Sequence, residues 1–129
     1  MKKLISFLLV LVLAIGLLAG CSSEKAMTIE KGKLIMSTNA AFPPYEMTAD
    51  DGSYIGIDVE VAQAIAKELD LELVIDNMGF TAALEAAQNG KSDMVMAGVT
   101  VNEKRLKVMD FSDSYATGVQ VVIVKDVPM

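Results

Sequence analysis

Residues 57–75, IDVEVAQAIAKELDLELVI, combine a helix pattern with a strand pattern that follows it directly. Asp58 is a candidate N-cap, and Glu60 is favourable in the first turn of a helix. The run Leu71–Ile75 is short and apolar, which is typical of a buried strand. An apolar stripe precedes it at helical spacing, formed by Val61, Ala62, Ile65, Ala66 and Leu69. This stretch therefore predicts a helix that packs by one face and leads into a strand.

The alternation of strands and helices extends in both directions from this stretch. Before it, residues 33–38 and 53–57 are predicted strands, and Pro43-Pro44 prevents regular structure between them. After it, Thr81 is a candidate N-cap of a helix that runs to about Asn89 and stops at Gly90. The remaining predicted elements are a strand over 93–97, a helix capped by Asn102 and a valine-rich strand over 119–124. This order predicts an α/β fold, with a parallel sheet flanked by helices and joined by right-handed crossovers.

Three loops follow strands of the predicted sheet and therefore share its carboxyl edge, where parallel sheets bind ligands. These loops are residues 39–45, 78–81 and 97–100. Arg105, the only arginine in the chain, comes shortly after the third loop, on the predicted first turn of a helix. Unpaired N–H groups at a helix start and the planar donor fork of arginine both suit a carboxylate ligand. The alternative interpretation is that Arg105 is an ordinary solvated helix residue.

The N-terminus has the features of an export signal. Lys2 and Lys3 precede an apolar stretch that is shorter than the ~20 residues of a membrane span and ends in Leu18-Ala19-Gly20-Cys21. Cysteine directly after Leu-Ala-Gly is typical of bacterial lipoproteins, in which that cysteine carries the lipid. We therefore expect a signal peptide over residues 1–20, a lipid anchor at Cys21 and a flexible tether over 21–30. An ordinary signal peptide and a single-span anchor are the alternatives.

Composition argues against several classes of function. The chain has no histidine, so it has no imidazole base and no histidine metal site. Its single cysteine excludes an intrachain disulfide. The formal net charge is −6, and loss of Lys2 and Lys3 with the signal peptide takes it to −8, which disfavours nucleic acid as a partner. Because no catalytic constellation or phosphate loop is present, we predict a binding protein, not an enzyme, that needs no metal or cofactor.

Four motifs resemble the polar amino-acid solute-binding proteins of ABC importers, which are bacterial extracellular solute-binding proteins of family 3. In chain order they are residues 39–46 (NAAFPPYE), 56–60 (GIDVE), 97–105 (AGVTVNEKR) and 110–115 (DFSDSY). The resemblance implies a fold like the type II periplasmic binding proteins, in which two lobes close on an amino acid. It also implies an ABC permease in the membrane as the partner, and a location on the periplasmic side or outer face of that membrane.

The same resemblance implies a domain organisation. Residues 31–125 would form the first lobe, and residues 126–129 would begin the hinge. We expect the second lobe to be missing from this sequence, which would then be a fragment of a longer chain.

The resemblance further implies roles for individual residues near the third loop. Arg105 would hold the α-carboxylate of the amino acid, and Thr100 would add its hydroxyl and backbone N–H. Ala97 and Gly98 would offer main-chain groups near the α-ammonium, although both residues could instead serve only close packing at the strand end.

The other candidate ligand-binding residues are Asn39, Phe42 and Phe80. Phe42 would stack on the ligand and Phe80 would form part of an apolar wall, although both could instead be core aromatics. Asn39 stands where many members of the family have aspartate. Because asparagine is neutral, it weakens the case for lysine or arginine as the ligand and leaves neutral polar amino acids open.

Two other functions remain open on the same fold. Periplasmic cyclohexadienyl dehydratases resemble these proteins, but such an enzyme would need an acid–base carboxylate, expected in the second lobe. A receptor sensor domain would need a spanning segment to carry its signal inward, which the lipoprotein signal disfavours.

Overall fold

The computed structural model describes residues 26–119 and 121–125. The predicted signal peptide, the predicted lipid-attachment residue Cys21, the first half of the predicted tether and residues 126–129 lie outside the described residues. The end of the predicted tether contacts the domain, since Thr28 is buried and the Ile29 N–H donates to Asp93 Oδ1 over 2.7 Å.

The described chain contains six strands, two α-helices and one short 3₁₀ helix. In order they are β1 (Lys33–Thr38), β2 (Ala41–Phe42), β3 (Glu46–Thr48), β4 (Tyr54–Ile55), α1 (Ile57–Glu68), β5 (Glu72–Asn77), α2 (Phe80–Gln88), β6 (Met94–Val95) and the 3₁₀ helix (Arg105–Lys107).

The central sheet is parallel and has three strands in the order β5, β1, β6. β1 pairs along its whole length with β5, from Lys33 opposite Glu72 to Thr38 opposite Asn77, and its second edge pairs with β6. The parallel α/β sheet predicted from the sequence is therefore confirmed. The sequence did not predict the small antiparallel sheet β2–β3–β4, of which only β4 falls within a predicted strand.

The two helices cover opposite faces of the sheet because neighbouring strand residues point to opposite sides. Met36 of β1 lies in the core cluster with Val59 and Ala62 of α1. On the other face, the buried Ser37 hydroxyl donates to the Ala83 carbonyl oxygen of α2 over 2.9 Å. β1 is thus enclosed on both faces, and its carboxyl end is held rigidly.

The predicted N-cap role of Asp58 is wrong. Helix α1 begins at Ile57, and its first N–H groups are satisfied by backbone, because Ile57 donates to the Pro44 carbonyl (3.1 Å) and Asp58 to the Tyr45 carbonyl (2.9 Å). Gly56 makes this approach possible, since a Cβ there would collide with the Tyr45 carbonyl oxygen. The Asp58 side chain is consequently free to face the interior.

The apolar stripe predicted for α1 is correct in part. Ala62 and Ala66 are buried together with Val59, whereas Ile65 and Leu69 are 38% and 41% exposed. The side of α1 that packs on the sheet is therefore the one that carries Val59, Ala62 and Ala66, and not the one that carries Ile65 and Leu69.

The ends of two other predicted elements differ from the structure. Helix α2 begins at Phe80 after Gly79, so Thr81 is not its N-cap, whereas its end at Gln88 before the left-handed Gly90 matches the prediction. Residues 119–124 were predicted as a strand, but the described residues of this run form none. Val119 and Val121–Val124 are 75–94% exposed and pair with no strand among the described residues. A β-prone sequence gains order as a strand only where a sheet edge receives it.

Candidate functional site

The carboxyl ends of β1, β5 and β6 lie at one edge of the sheet, so the loops that follow them converge there. Two hydrogen bonds tie together the loops that follow β1 and β5. The Met78 N–H donates to the Thr38 carbonyl oxygen, and the Ala40 N–H donates to Asn77 Oδ1, each over 2.9 Å. The edge therefore holds the loops in a fixed relation.

The first group of predicted site residues at this edge is formed by Phe42 and Gly98. The Phe42 ring is 50% exposed and stacks on Tyr45, with centroids 5.4 Å apart and planes inclined by 16°. Gly98 lies against this ring, because a Cβ on Gly98 would be 2.8 Å from Phe42 Cε1. The result is an exposed aromatic surface supported by a glycine backbone, with Tyr45 as a member that the sequence analysis left out of the site.

The second group is formed by Phe80, Thr100 and Arg105. The Arg105 Nη1 donates to the Thr100 carbonyl oxygen over 2.7 Å, and its Cζ lies 5.3 Å from the centre of the Phe80 ring. The Phe80 ring is 37% exposed, so it is available to a ligand as well. This arrangement fixes a guanidinium beside an aromatic face at the opening of the third loop.

The local structure around Arg105 is shorter than predicted. Asn102 does act as a cap, because its Oδ1 accepts from the backbone N–H groups of Lys104 (3.1 Å) and Arg105 (3.0 Å). However, the capped element is the three-residue 3₁₀ helix, not an α-helix. The helix N-terminus that the sequence predicted beside Arg105 is therefore not formed, and the guanidinium is the group that the structure places at this position.

Asn39 and Ala97 lie at the same edge, but the structure assigns neither side chain a contact with the two groups. Asn39 is half-buried just after β1, and its carbonyl oxygen accepts from the Ala41 N–H over 2.7 Å. The Ala97 side chain is buried, so only its backbone can face a ligand.

A pair of buried carboxyl groups lies behind the site, and the sequence analysis missed it. Glu46 of β3 and Asp58 of α1 are both fully buried. The Asp58 Oδ2 accepts from the Gly98 N–H over 3.0 Å, and its Oδ1 accepts from the Tyr115 hydroxyl over 2.9 Å. Glu46 lies in the motif at 39–46 and Asp58 in the motif at 56–60. The signal that could have predicted their burial is an acidic residue beside apolar neighbours in each motif.

Burial raises the pKa of the Glu46 carboxyl from 4.5 to about 8, and the adjacent Asp58 carboxyl adds to this shift as an acceptor for the protonated form of Glu46 and through charge repulsion. Burial and the hydrogen bond to Asp58 also raise the pKa of the Tyr115 hydroxyl above its ordinary value. This shift favours the protonated form of Glu46 near neutral pH.

The described residues contain no group of three or more potential metal ligands. Within the same residues, no helix is both long and apolar enough to cross a membrane.

Comparison with known proteins identifies the family of this chain. Residues 34–129 match the bacterial extracellular solute-binding proteins, family 3. The chain belongs to this family. The arginine-binding extracellular protein ArtP of Bacillus subtilis (strain 168) is 34% identical over 125 residues, which are 97% of this chain and 49% of ArtP. The L-cystine-binding protein TcyJ of Escherichia coli (strain K12) is 30% identical over 122 residues, 88% of this chain and 46% of TcyJ. The family 3 chain described here thus spans about half the length of these relatives.

Solved structures agree with the family and with the fold. An ancestral arginine-binding protein bound to arginine has a TM-score of 0.63 and 41% identity over 66% of this chain and 38% of its own. The arginine-bound form of domain 1 from TmArgBP has a TM-score of 0.63 and 38% identity, over 65% of this chain and 67% of that domain. An ancestral cyclohexadienyl dehydratase is also similar, with a TM-score of 0.62 and 34% identity over 66% of this chain and 35% of its own. The described fold is therefore that of one lobe of a type II periplasmic binding protein.

Proposed function

We propose that this family 3 chain forms one face of a binding site for an amino acid, in which Arg105 and Thr100 hold the α-carboxylate. The observation that carries the proposal is the position of the Arg105 guanidinium, held between the Thr100 carbonyl oxygen and the Phe80 ring at the carboxyl edge of the sheet.

The chemistry of this position suits a carboxylate. Guanidinium has five N–H donors in a planar fork, and the structure assigns only Nη1 a hydrogen bond within the described residues. The remaining donors can bind both oxygens of a carboxylate, which a lysine ammonium cannot do in the same geometry. The aromatic face below the guanidinium limits its motion, so less side-chain entropy is lost when the ligand binds.

The backbone at Ala97 and Gly98 suits the α-ammonium through its oxygen atoms. The Gly98 N–H already donates to Asp58, so it is not available to a ligand. An ammonium group needs acceptors, and the carbonyl oxygens of this strand end are the acceptors that the loop offers.

The side chain of the amino acid would lie against Phe42 and Phe80, whose rings are both partly exposed. The names of the relatives include arginine and cystine as ligands. Asn39 brings no charge to this edge, which supports a polar ligand that can be neutral, with arginine as the cationic alternative. One lobe alone encloses a ligand incompletely, so we expect weak binding by this chain.

The proposed setting of the site is extracytoplasmic. The N-terminal signal and Cys21 support a lipid anchor in the membrane, and membership of the family supports delivery of the amino acid to an ABC permease. A dehydratase function is favoured by one observation, the similarity to an ancestral cyclohexadienyl dehydratase. Binding is the preferred proposal because the curated relatives ArtP and TcyJ are both named as amino-acid-binding proteins.

The test is a titration of the purified chain with L-arginine, L-glutamine and L-cystine, followed by NMR shifts at the sheet edge. Agmatine, which is arginine without its carboxylate, is the matched ligand control. For the amino acid that binds, Arg105→Ala should weaken affinity about 10- to 100-fold, as expected for a charged hydrogen bond of ~1.5–3 kcal/mol.

Arg105→Lys should recover only part of this loss, and Lys107→Ala in the same short helix should have no effect. A loss of less than about threefold in Arg105→Ala, or equal binding of agmatine and arginine, contradicts the carboxylate role.

A further inference from the structure

The buried pair Glu46 and Asp58 needs an explanation beyond packing, because burying a carboxyl group is costly unless it has partners. Asp58 has its partners, with one N–H and one O–H donated to its two oxygens. Glu46 has none among the donors of the described residues, since neither of its buried carboxyl oxygens receives a hydrogen bond from them.

No cation balances this pair within the described part of the chain, where the one ion pair found joins Lys33 and Glu30 at the surface. Among the described residues, the other titratable side chain hydrogen-bonded to the pair is Tyr115, which is not a cation. Two adjacent buried carboxylates cannot both be ionised without a counter-charge. One proton must therefore remain on the pair.

The hydrogen bonds decide where this proton resides. Each oxygen of Asp58 already accepts a hydrogen bond, whereas neither oxygen of Glu46 accepts one, so Glu46 is the member of the pair that has room for the proton. A protonated Glu46 can donate to Asp58, which satisfies one carboxyl oxygen of Glu46 that is otherwise without a partner.

The pair acts on the candidate ligand site through Gly98. The Asp58 carboxylate holds the Gly98 N–H on one side of the loop, and the Phe42 ring lies against Gly98 on the other side. Gly98 has a φ of +54°, which glycine adopts about as readily as a negative φ, so its contacts decide which conformation it holds. Gly98 alone therefore connects Asp58 to the Phe42 ring, so that a shift of Asp58 can move this ring.

We propose that Glu46 and Asp58 share one buried proton and act as positioning residues for the Gly98 loop, so that loss of this proton releases the loop and with it the Phe42 surface. Ionised Glu46 repels Asp58 and draws water into the pair, which separates Asp58 from the Gly98 N–H. The consequence for amino-acid affinity rests on the function proposed above, whereas the coupling of Glu46 to Gly98 does not.

The experiment follows the Glu46 carboxyl carbon and the Gly98 nitrogen in the labelled chain from about pH 6 to about pH 10. Carbon-detected spectra are used because amide protons exchange quickly at the upper end of this range. In the natural chain both signals should titrate together with a midpoint near 8. Glu46→Gln, which keeps a donor but cannot ionise, should abolish the titration of Gly98, and the exposed Glu60→Gln should preserve it.

Three results would overturn the proposal. They are a Glu46 carboxyl that titrates near 4.5, a Gly98 nitrogen that does not follow Glu46, and a Gly98 titration that persists in Glu46→Gln. If the Glu46→Gln variant fails to fold, the comparison of the two midpoints in the natural chain still decides the question. None of these measurements uses a ligand, so a failure of the amino-acid function is distinguishable from a failure of this proposal.

Discussion

Stability that falls as the pH rises is the prediction that follows most directly from the buried Glu46. The folded-state pKa of about 8 lies above the ordinary value of 4.5, so the folded state retains a proton that the unfolded state releases between these two values. The contribution of Glu46 to stability is complete below about pH 4.5 and is lost as the pH rises through 8. At ~1.4 kcal/mol per pKa unit, this shift sets a ceiling of ~5 kcal/mol on the loss.

That ceiling is comparable to the lower end of the ~5–15 kcal/mol by which small domains are stable. We expect a smaller loss in practice, because the interior can relax and admit water around an ionised Glu46. The other groups with shifted pKa values act outside this pH window. Hydrogen bonds from Ser53 lower the pKa of the Asp51 carboxyl, and the hydrogen bond to Glu30 raises the pKa of the Lys33 ammonium.

The assay is urea unfolding followed by circular dichroism at a series of pH values between about 5 and 9. The natural chain should lose stability steadily across this range, whereas Glu46→Gln should be nearly insensitive to pH and should exceed the natural chain in stability above about pH 8. Glu60→Gln, at an exposed position of α1, is the matched control and should follow the natural chain. A natural chain whose stability is flat or rises with pH, or a Glu46→Gln variant that falls in parallel with it, would refute the reasoning.

Two further predictions concern the backbone at the edges of the domain. Gly98→Ala should destabilise the fold by about 1–3 kcal/mol and unstack Phe42, because its Cβ meets the ring at 2.8 Å and its φ is +54°. Gly90→Ala is the control, because Gly90 has a similar φ of +65° but open space around it. Urea unfolding should show backbone strain in both variants, whereas a change in the near-UV circular dichroism of the Phe42–Tyr45 stack should appear only in Gly98→Ala. Asp93→Asn should release the segment at Ile29 and lower the free energy of unfolding by about 1–3 kcal/mol. The two carboxylate oxygens of Asp93 accept from the Ile29 and Ile35 N–H groups, and the NH₂ group of asparagine cannot accept from either. Hydrogen exchange at Ile29 and urea unfolding check this expectation, and unchanged protection there would contradict it.

The parts of the fold that follow from local patterns were predictable. β1 has the predicted bounds, and helix α2 ends just before Gly90, as predicted. The alternation of strands and helices was enough to predict the parallel sheet and the edge at which the loops meet. Patterning predicts these features because each depends on residues close to one another in the chain.

The parts that depend on distant partners were not predictable. Asp58 has the sequence of an N-cap, but the carbonyl groups of Pro44 and Tyr45 cap the helix, which leaves Asp58 to bind Gly98 and Tyr115. The β-prone run beginning at Val119 has no partner among the described strands and remains exposed. In both cases, local propensity was overridden by which groups the tertiary structure brought within reach.

Local sequence patterns were sufficient to predict the α/β class, the edge of the sheet that carries the candidate site, and the residue types that suit an amino acid there. The contacts of Arg105 with Thr100 and Phe80, and the burial of Glu46 beside Asp58 behind Gly98, became known from the folded chain alone. The difference is one of interaction range. Periodicity and turn residues act over a few neighbours, whereas burial, ion pairing and the pKa of a carboxyl depend on groups that folding brings together from distant parts of the chain.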